Sequence, residues 1–232
     1  MEQILDEYVE IMFGNEAQAT FKLKQFENNY KKYAPENLGV SVLDIGIGRG
    51  EMLSCYKNWG YKNYFGIDIS KSTIKHCQSL DLNCQLVNNT REWLENNPNV
   101  FDMVTMFDVI EHFKKDDVIP TLTAIKNSLR ENGVLIIQTP NLQAIDPQLH
   151  RYNDFTHEFG YTENSLREVL CAAGFAKINF EGFEEDIYGG FNAWKCNFFR
   201  NLIWKFARFK REMTGNINPR VLHPVFYAVV VK

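Results

Sequence analysis

Cysteine is scarce in this 232-residue chain: five residues, Cys55, Cys77, Cys84, Cys171 and Cys196, with no C-x-x-C pair. An odd, scattered set supports neither a zinc knuckle nor a closed disulfide framework, and it predicts buried thiols in a reducing compartment. Long apolar runs are missing, so no segment is expected to span a bilayer. The start, Met1-Glu2-Gln3-Ile4-Leu5-Asp6-Glu7, lacks the basic residues and apolar stretch of an export signal, which predicts a cytoplasmic protein. Excess positive charge is also absent: 25 Lys and Arg against 29 Asp and Glu give a formal net charge of −4. A dedicated nucleic-acid binder relies on global attraction to phosphate, so a small-molecule partner is expected and a nucleic acid is not. There is no internal repeat or low-complexity tract. What is there, 45% hydrophobic and 23% charged residues, is the balance of one globular domain with a full core.

Residues 3–34 have helical spacing, with Ile4, Leu5, Tyr8, Ile11 and Met12 on one face and Leu23, Phe26, Tyr30 and Tyr33 on another, and Pro35 closes the segment. A helical cover over 1–36 and a main domain over 37–232 are expected. From Gly39 strand-like runs (Val40–Ile45, Tyr64–Ile67, Cys84–Val87, Met103–Phe107, Val134–Gln138) alternate with helix-like stretches near 50–59, 71–79, 90–95 and 116–131. Strands rich in β-branched and aromatic residues, separated by helices, pair in parallel and are covered on both faces: an α/β doubly wound fold. Beyond Pro140 a polar, aromatic insert, 141–161, precedes a helix that Thr162 caps and that runs to Gly174. Phe175–Phe183 and the closing Val225–Val231 are further strands, with a long helix at 191–213 between them.

The most informative segment is Val42-Leu43-Asp44-Ile45-Gly46-Ile47-Gly48-Arg49-Gly50-Glu51. A strand ending in an acid runs into three glycines and then a helix, a turn that lets a ligand approach the backbone. The dinucleotide fingerprint needs a third small residue where Glu51 stands, which argues against NAD or FAD. Asp68 ends the second strand about 20 residues on, where a carboxylate accepts hydrogen bonds from both ribose hydroxyls. Asp44 would repel a pyrophosphate but can engage an ammonium group, so an adenosine joined to an amino acid fits. Arg49 and Glu51 are expected at a solvated helix start.

These residues resemble motif I of the class I S-adenosylmethionine (SAM) methyltransferases, and the resemblance runs from about Val40 to Phe183. It takes in Asn88-Asn89-Thr90, Phe101–His112 and Leu129–Ile136. It implies a Rossmann-like three-layer sandwich around a mostly parallel seven-stranded sheet, with an antiparallel last strand at Val225–Val231. It also implies SAM as cofactor and S-adenosylhomocysteine as product, held by Asp44, Gly46, Gly48, Gly50, Asp68 and Ile69. Asn89 and Thr90 fall on the adenine side, where many members carry an acid in place of Asn89, and Phe107 and Asp108 fall at the methionine end.

Thr139-Pro140-Asn141, Asp154–Glu158, Tyr161-Thr162 and Ser165-Leu166 resemble a subgroup encoded with bacterial capsule and lipopolysaccharide genes. That implies O-methylation of a sugar hydroxyl on a nucleotide sugar or glycan precursor. A hydroxyl acceptor needs its proton removed. By this resemblance His157 is the general base, Asp154 orients it or meets a sugar hydroxyl, and Glu158 is the substitute. A plain turn made by Asp154 and Thr156 is the alternative. His112 either packs beneath the loop after the fourth strand or acts in catalysis. No metal is expected, since Asp154, His157 and Glu158 form no clear ligand set.

On 191–213, Phe191, Trp194, Phe198, Leu202, Phe206 and Phe209 make one apolar helix face, with Lys195, Arg200, Lys205, Arg208, Lys210 and Arg211 around it. Such a helix covers the sheet, pairs two copies, clamps a nucleotide diphosphate or rests on the inner membrane. Rival readings remain open. Val109-Ile110-Glu111-His112 also resembles methyltransferases of quinones and other small phenols, a non-catalytic module would keep the fold, and an NAD-dependent oxidoreductase is disfavoured by Glu51.

Overall fold

Successive side chains of a strand point to opposite faces of its sheet, and here both faces of the central strands are apolar. A computed structural model describes residues 16–185 and 190–232. It holds one seven-stranded sheet of order β3-β2-β1-β4-β5-β7-β6. The strands are β1 (Ser41–Ile45), β2 (Asn63–Asp68), β3 (Cys84–Leu86), β4 (Phe101–Phe107), β5 (Leu129–Pro140), β6 (Lys177–Gly182) and β7 (Val225–Val231). β1 to β5 run parallel, and β7 lies antiparallel between β5 and β6. This is the expected Rossmann-like sandwich.

The helices are α1 (Glu16–Tyr30), α2 (Glu51–Trp59), α3 (Lys71–Ser79), α4 (Thr90–Glu95), α5 (Lys115–Ser128), α6 (Pro147–Tyr152), α7 (Glu163–Ala172) and α8 (Gly190–Met213). Leu43, Val104, Leu135 and Ile137 turn one way and pack with Leu94, Leu122, Ile125 and Leu170 of α4, α5 and α7. Val42, Met103 and Ile136 turn the other way and pack with Phe26, Tyr30, Leu53, Tyr56 and Ile74 of α1, α2 and α3. Side-chain caps start three helices: the expected Thr162, in a capping box with Ser165 on α7, and also Ser70 on α3 and Asn89 on α4.

The strand order reverses between β1's two neighbours, β2 and β4. In an open α/β sheet that switch point leaves a crevice beyond the carboxyl ends of the strands. Asp44–Gly46 and Phe107–Asp108 therefore meet above it.

Several expectations are corrected. The helix expected over 116–131 stops at Ser128, because Leu129 is fully buried and pairs with Phe101. Asn132, at φ 62, then turns the chain before Val134 pairs with Met103. Cys171 and Cys196 are exposed, while Cys55, Cys77 and Cys84 are buried. The apolar face over Ile4–Met12 lies outside the described residues.

The reading of 191–213 as a cover for the sheet also fails. Trp194, Phe198, Leu202, Phe206 and Phe209 are exposed, Phe206 at 66%. α8 is held by its other side. Arg200 pairs with Glu184, Arg208 donates to the carbonyls of Pro219 and Arg220, Arg211 donates to that of Gln143, and Trp204 packs on His223. Among the described residues no helix is long and apolar enough to cross a membrane.

Candidate active site

The glycine loop turns on positive φ at Gly46 (73°), Gly48 (51°) and Gly50 (79°). A Cβ on Gly46 would stand 2.2 Å from Val109 Cγ2, so only glycine lets the loop pass the β4 turn. Its amide donates to the Ile67 carbonyl at 2.9 Å, which ties the loop to β2. Gly50 then begins α2.

The crevice above the loop is a cavity of about 360 Å³, the size of small-molecule sites. Of the residues expected to hold the cofactor, Asp44, Gly46, Gly48, Asp68, Ile69, Thr90, Phe107 and Asp108 line it. Gly50 serves as the helix cap, and Asn89 Oδ1 accepts the Glu92 amide at 3.1 Å to start α4.

Asp68 Oδ1 accepts the Ser70 amide at 2.8 Å. Burial pushes its carboxyl up to about 6, although backbone N–H groups of Ser70, Ile47, Ile69 and Gly48 favour the anion. Asp44 is buried beneath the loop, where Thr105 donates to its Oδ1 at 2.7 Å. Burial raises its carboxyl well above the usual range, and the charges of Glu51 and Asp68 add to that. Three carboxylates crowding one end of an apolar crevice favour a cationic ligand and disfavour a pyrophosphate.

Glu51 departs from expectation. It is buried on the cavity wall, where its Oε2 accepts the Arg49 amide and its Oε1 lies 3.5 Å from Lys22 Nζ. Lys22 and Phe26 of α1 close that side. Phe107 meets Tyr30 in a stack at 4.4 Å and Phe26 edge-on at 5.3 Å. The Tyr30 hydroxyl donates to Gln138, whose Nε2 donates to Asp108 Oδ2 at 2.8 Å, so the cover helix reaches the site through one chain of contacts. Nothing in the spacing of α1 signals this, because its partners lie far away in sequence.

The other end is made by His112, Phe113, Lys114, Thr156 and Glu158. The amides of Glu158 and Phe159 donate to the Glu111 carbonyl at 2.8 and 3.1 Å, pinning the insert onto the Ile110–His112 turn. Asp154, expected to orient His157, is buried and accepts from the Thr156 amide and hydroxyl at 2.8 and 2.7 Å. The Thr156 oxygen in turn lies 2.8 Å from His112 Nδ1. A hydroxyl has one proton; with that proton on Asp154, Nδ1 is the donor, and the lone pair of His112 sits on Nε2.

His157 is not on the cavity wall. Its ring packs on that of His112, with centroids 4.8 Å apart at 65°. Burial first, and the nearby His157 charge second, hold His112 below its ordinary value, so it is neutral at neutral pH. Thr156 is a site residue that the sequence does not signal, because a threonine carries no chemical signature of its own.

A family model described as a methyltransferase domain matches residues 16–179. The chain belongs to that methyltransferase family. A SAM-dependent methyltransferase from Archaeoglobus fulgidus has the same fold at 20% identity, with a TM-score of 0.68 and 99% of both chains covered. A Thermotoga maritima SAM-dependent methyltransferase described as a "possible histamine N-methyltransferase" is 14% identical, with a TM-score of 0.65 over 100% of this chain and 97% of that one. Phosphoethanolamine N-methyltransferase 2 of Haemonchus contortus, in complex with SAM, is 18% identical, with a TM-score of 0.58 over 98% of this chain and 60% of that one. No curated protein matches the chain.

The cofactor of this methyltransferase is SAM, and the crevice fits it. A cavity-lining aspartate at the end of β2 suits a ribose diol, and the buried carboxylates suit a ligand carrying an ammonium and a sulfonium.

Proposed function

We propose that this methyltransferase methylates a hydroxyl of a sugar, carried by a nucleotide or by a capsule or lipopolysaccharide precursor. When bound, SAM supplies a methyl group already activated as a sulfonium. Asp68 accepts the ribose hydroxyls, Asp44 and Glu51 balance the positive charge, and Phe26, Phe107 and α1 keep water from that end. His112, braced by Thr156 and Asp154, positions the acceptor oxygen. Glu158, the exposed carboxylate on the same wall, takes its proton, the role foreseen for it as substitute for His157. Lys114, at the mouth, suits the phosphates of a nucleotide sugar.

The braced His112 beside Glu158 is the observation that carries this reading, because an oxygen acceptor has a proton to lose and a group must receive it. A second reading is N-methylation of a small amine, favoured by the crowd of carboxylates and by the names of the Thermotoga and Haemonchus enzymes. One experiment separates the two: labelled SAM is offered with nucleotide sugars, phenols and small amines, and methyl incorporation is read together with S-adenosylhomocysteine. Label on a sugar oxygen supports the first reading, and label confined to amine nitrogen overturns it.

We place the enzyme in the cytoplasm against an anionic membrane. The outward stripe of Trp194, Phe198, Leu202, Phe206 and Phe209 is flanked by Lys195, Lys205 and Lys210, the arrangement of an interfacial helix. Co-sedimentation with anionic vesicles, lost on mutation of Phe198 and Phe206 to Ser, supports this; a stable dimer that ignores vesicles assigns the stripe to self-association.

A further inference from the structure

At the acceptor end, three side chains of metal-ligating type converge. Glu111, His112 and His157 each offer a ligand atom, and these atoms all lie within 4.8 Å of one another. Glu111 is 2% exposed. Its Oε2 accepts from the Thr139 hydroxyl at 3.0 Å, while its Oε1 is buried with no hydrogen-bond partner. A buried carboxylate oxygen left without a donor costs stability unless something else satisfies it. Asp108 and Asp154 stand near enough for their charges to act on Glu111, so the pocket gathers negative potential around that orphan oxygen.

The geometry points to a binding site for a divalent transition-metal ion held by Glu111, His112 and His157. Two imidazoles and one carboxylate are the ligand set of catalytic zinc sites that keep a position open. Imidazole also selects such ions over magnesium and calcium. The Thr156 hydroxyl at Nδ1 fixes the His112 ring, as hydrogen bonds to the other ring nitrogen orient metal-binding histidines. Tetrahedral ligands at zinc distances stand about 3.3 Å apart, so modest side-chain rotations close the trio onto an ion. The turn and the insert are already pinned together by the hydrogen bonds that the Glu158 and Phe159 amides donate to the Glu111 carbonyl.

His112 lines the crevice wall, the His157 ring packs on it, and Glu111 is buried next to it in the same turn. An ion there takes the acceptor's hydroxyl oxygen as a further ligand and lowers that hydroxyl's pKa. The proton then passes to Glu158, the base assigned above, which receives it more readily from a metal-bound hydroxyl. This use of the ion rests on the O-methylation reading; the binding itself does not.

The full chain, stripped with a chelator, is titrated with zinc chloride by calorimetry, and bound metal is counted by elemental analysis. Magnesium chloride serves as the comparison ion. The site predicts one zinc per chain, bound at least about 100-fold more tightly than magnesium, and weakened tenfold or more in both His157→Asn and His112→Asn. His76→Ala, outside the trio, leaves binding unchanged. Absence of zinc binding overturns the proposal, as does binding that both histidine variants retain in full. A nucleotide-sugar methylation assay with labelled SAM on the same protein, stripped and zinc-loaded, separates the two failures. Zinc binding without transfer to any sugar refutes the acceptor reading alone, and sugar methylation by protein that binds no zinc refutes the metal site alone.

Discussion

The glycine-loop end of the crevice is built around one continuous stretch, Asp44–Gly48, whose backbone conformation shapes the wall. The histidine end is assembled from side chains of two turns, with His112 and Thr156 44 residues apart in sequence. A Cβ on Gly46 would clash at the first end, whereas the second end depends on side-chain hydrogen bonds. Each should therefore break in its own way: one by losing the cofactor, the other by losing turnover with the cofactor still bound.

The largest effect is expected at Gly46. In Gly46→Val the added carbons meet Val109, and the residue must also hold a φ of 73° that costs an L residue about 1–2 kcal/mol. SAM affinity by calorimetry should fall more than about 100-fold, with a lowered melting temperature. Glu158→Gln should break the other end. Single-turnover rates on the true acceptor should fall about 100-fold, while SAM affinity stays within about twofold. Thr156→Val is the finer probe. It keeps the shape but removes the link between Asp154 and His112, and a loss of about tenfold in kcat with a displaced pH profile is expected, as for supporting residues around a reacting group. An unchanged pH profile would make Thr156 merely structural.

The smallest effect contrasts the ends by stability. Burial raises the Asp68 carboxyl from its ordinary range to about 6, so its anion is disfavoured in the ligand-free fold. That penalty is absent below pH about 4, where both folded and unfolded states are protonated. It grows as pH rises towards 6 and is full above it. Asp68→Asn should therefore stabilise ligand-free protein at pH 7.5, by no more than about 3 kcal/mol, and by little at pH 4. Thr156→Val should give no such pH-dependent gain.

The same contrast explains what could be read from the chain. The sheet was legible because strand and helix periods alternate cleanly, and the cofactor end because Gly46, Gly48, Gly50, Asp44 and Asp68 occupy fixed steps along one strand–loop–helix unit. The brace from Asp154 through Thr156 to His112 depends on how the insert folds back, which no local spacing reveals. Glu51 reads as a solvated helix start because nothing local in the sequence announces Lys22 of α1 beside it. Helices α1 and α8 make the point again: both carry aromatic faces, yet Phe26 and Tyr30 are buried on the sheet while Phe198 and Phe206 face outward. Amphipathic spacing identifies an apolar face, but tertiary packing decides what covers it.

The most direct measurement is calorimetric titration of SAM into the wild-type chain and Asp68→Asn at pH 8 and pH 5. The wild type should bind tightly at pH 8 and more weakly at pH 5, where Asp68 takes up a proton. Asp68→Asn should bind at least about tenfold more weakly at pH 8, the loss expected when a charged acceptor of two hydrogen bonds is removed, with little dependence on pH. Equal, pH-independent SAM affinity in both proteins would contradict the account of the crevice.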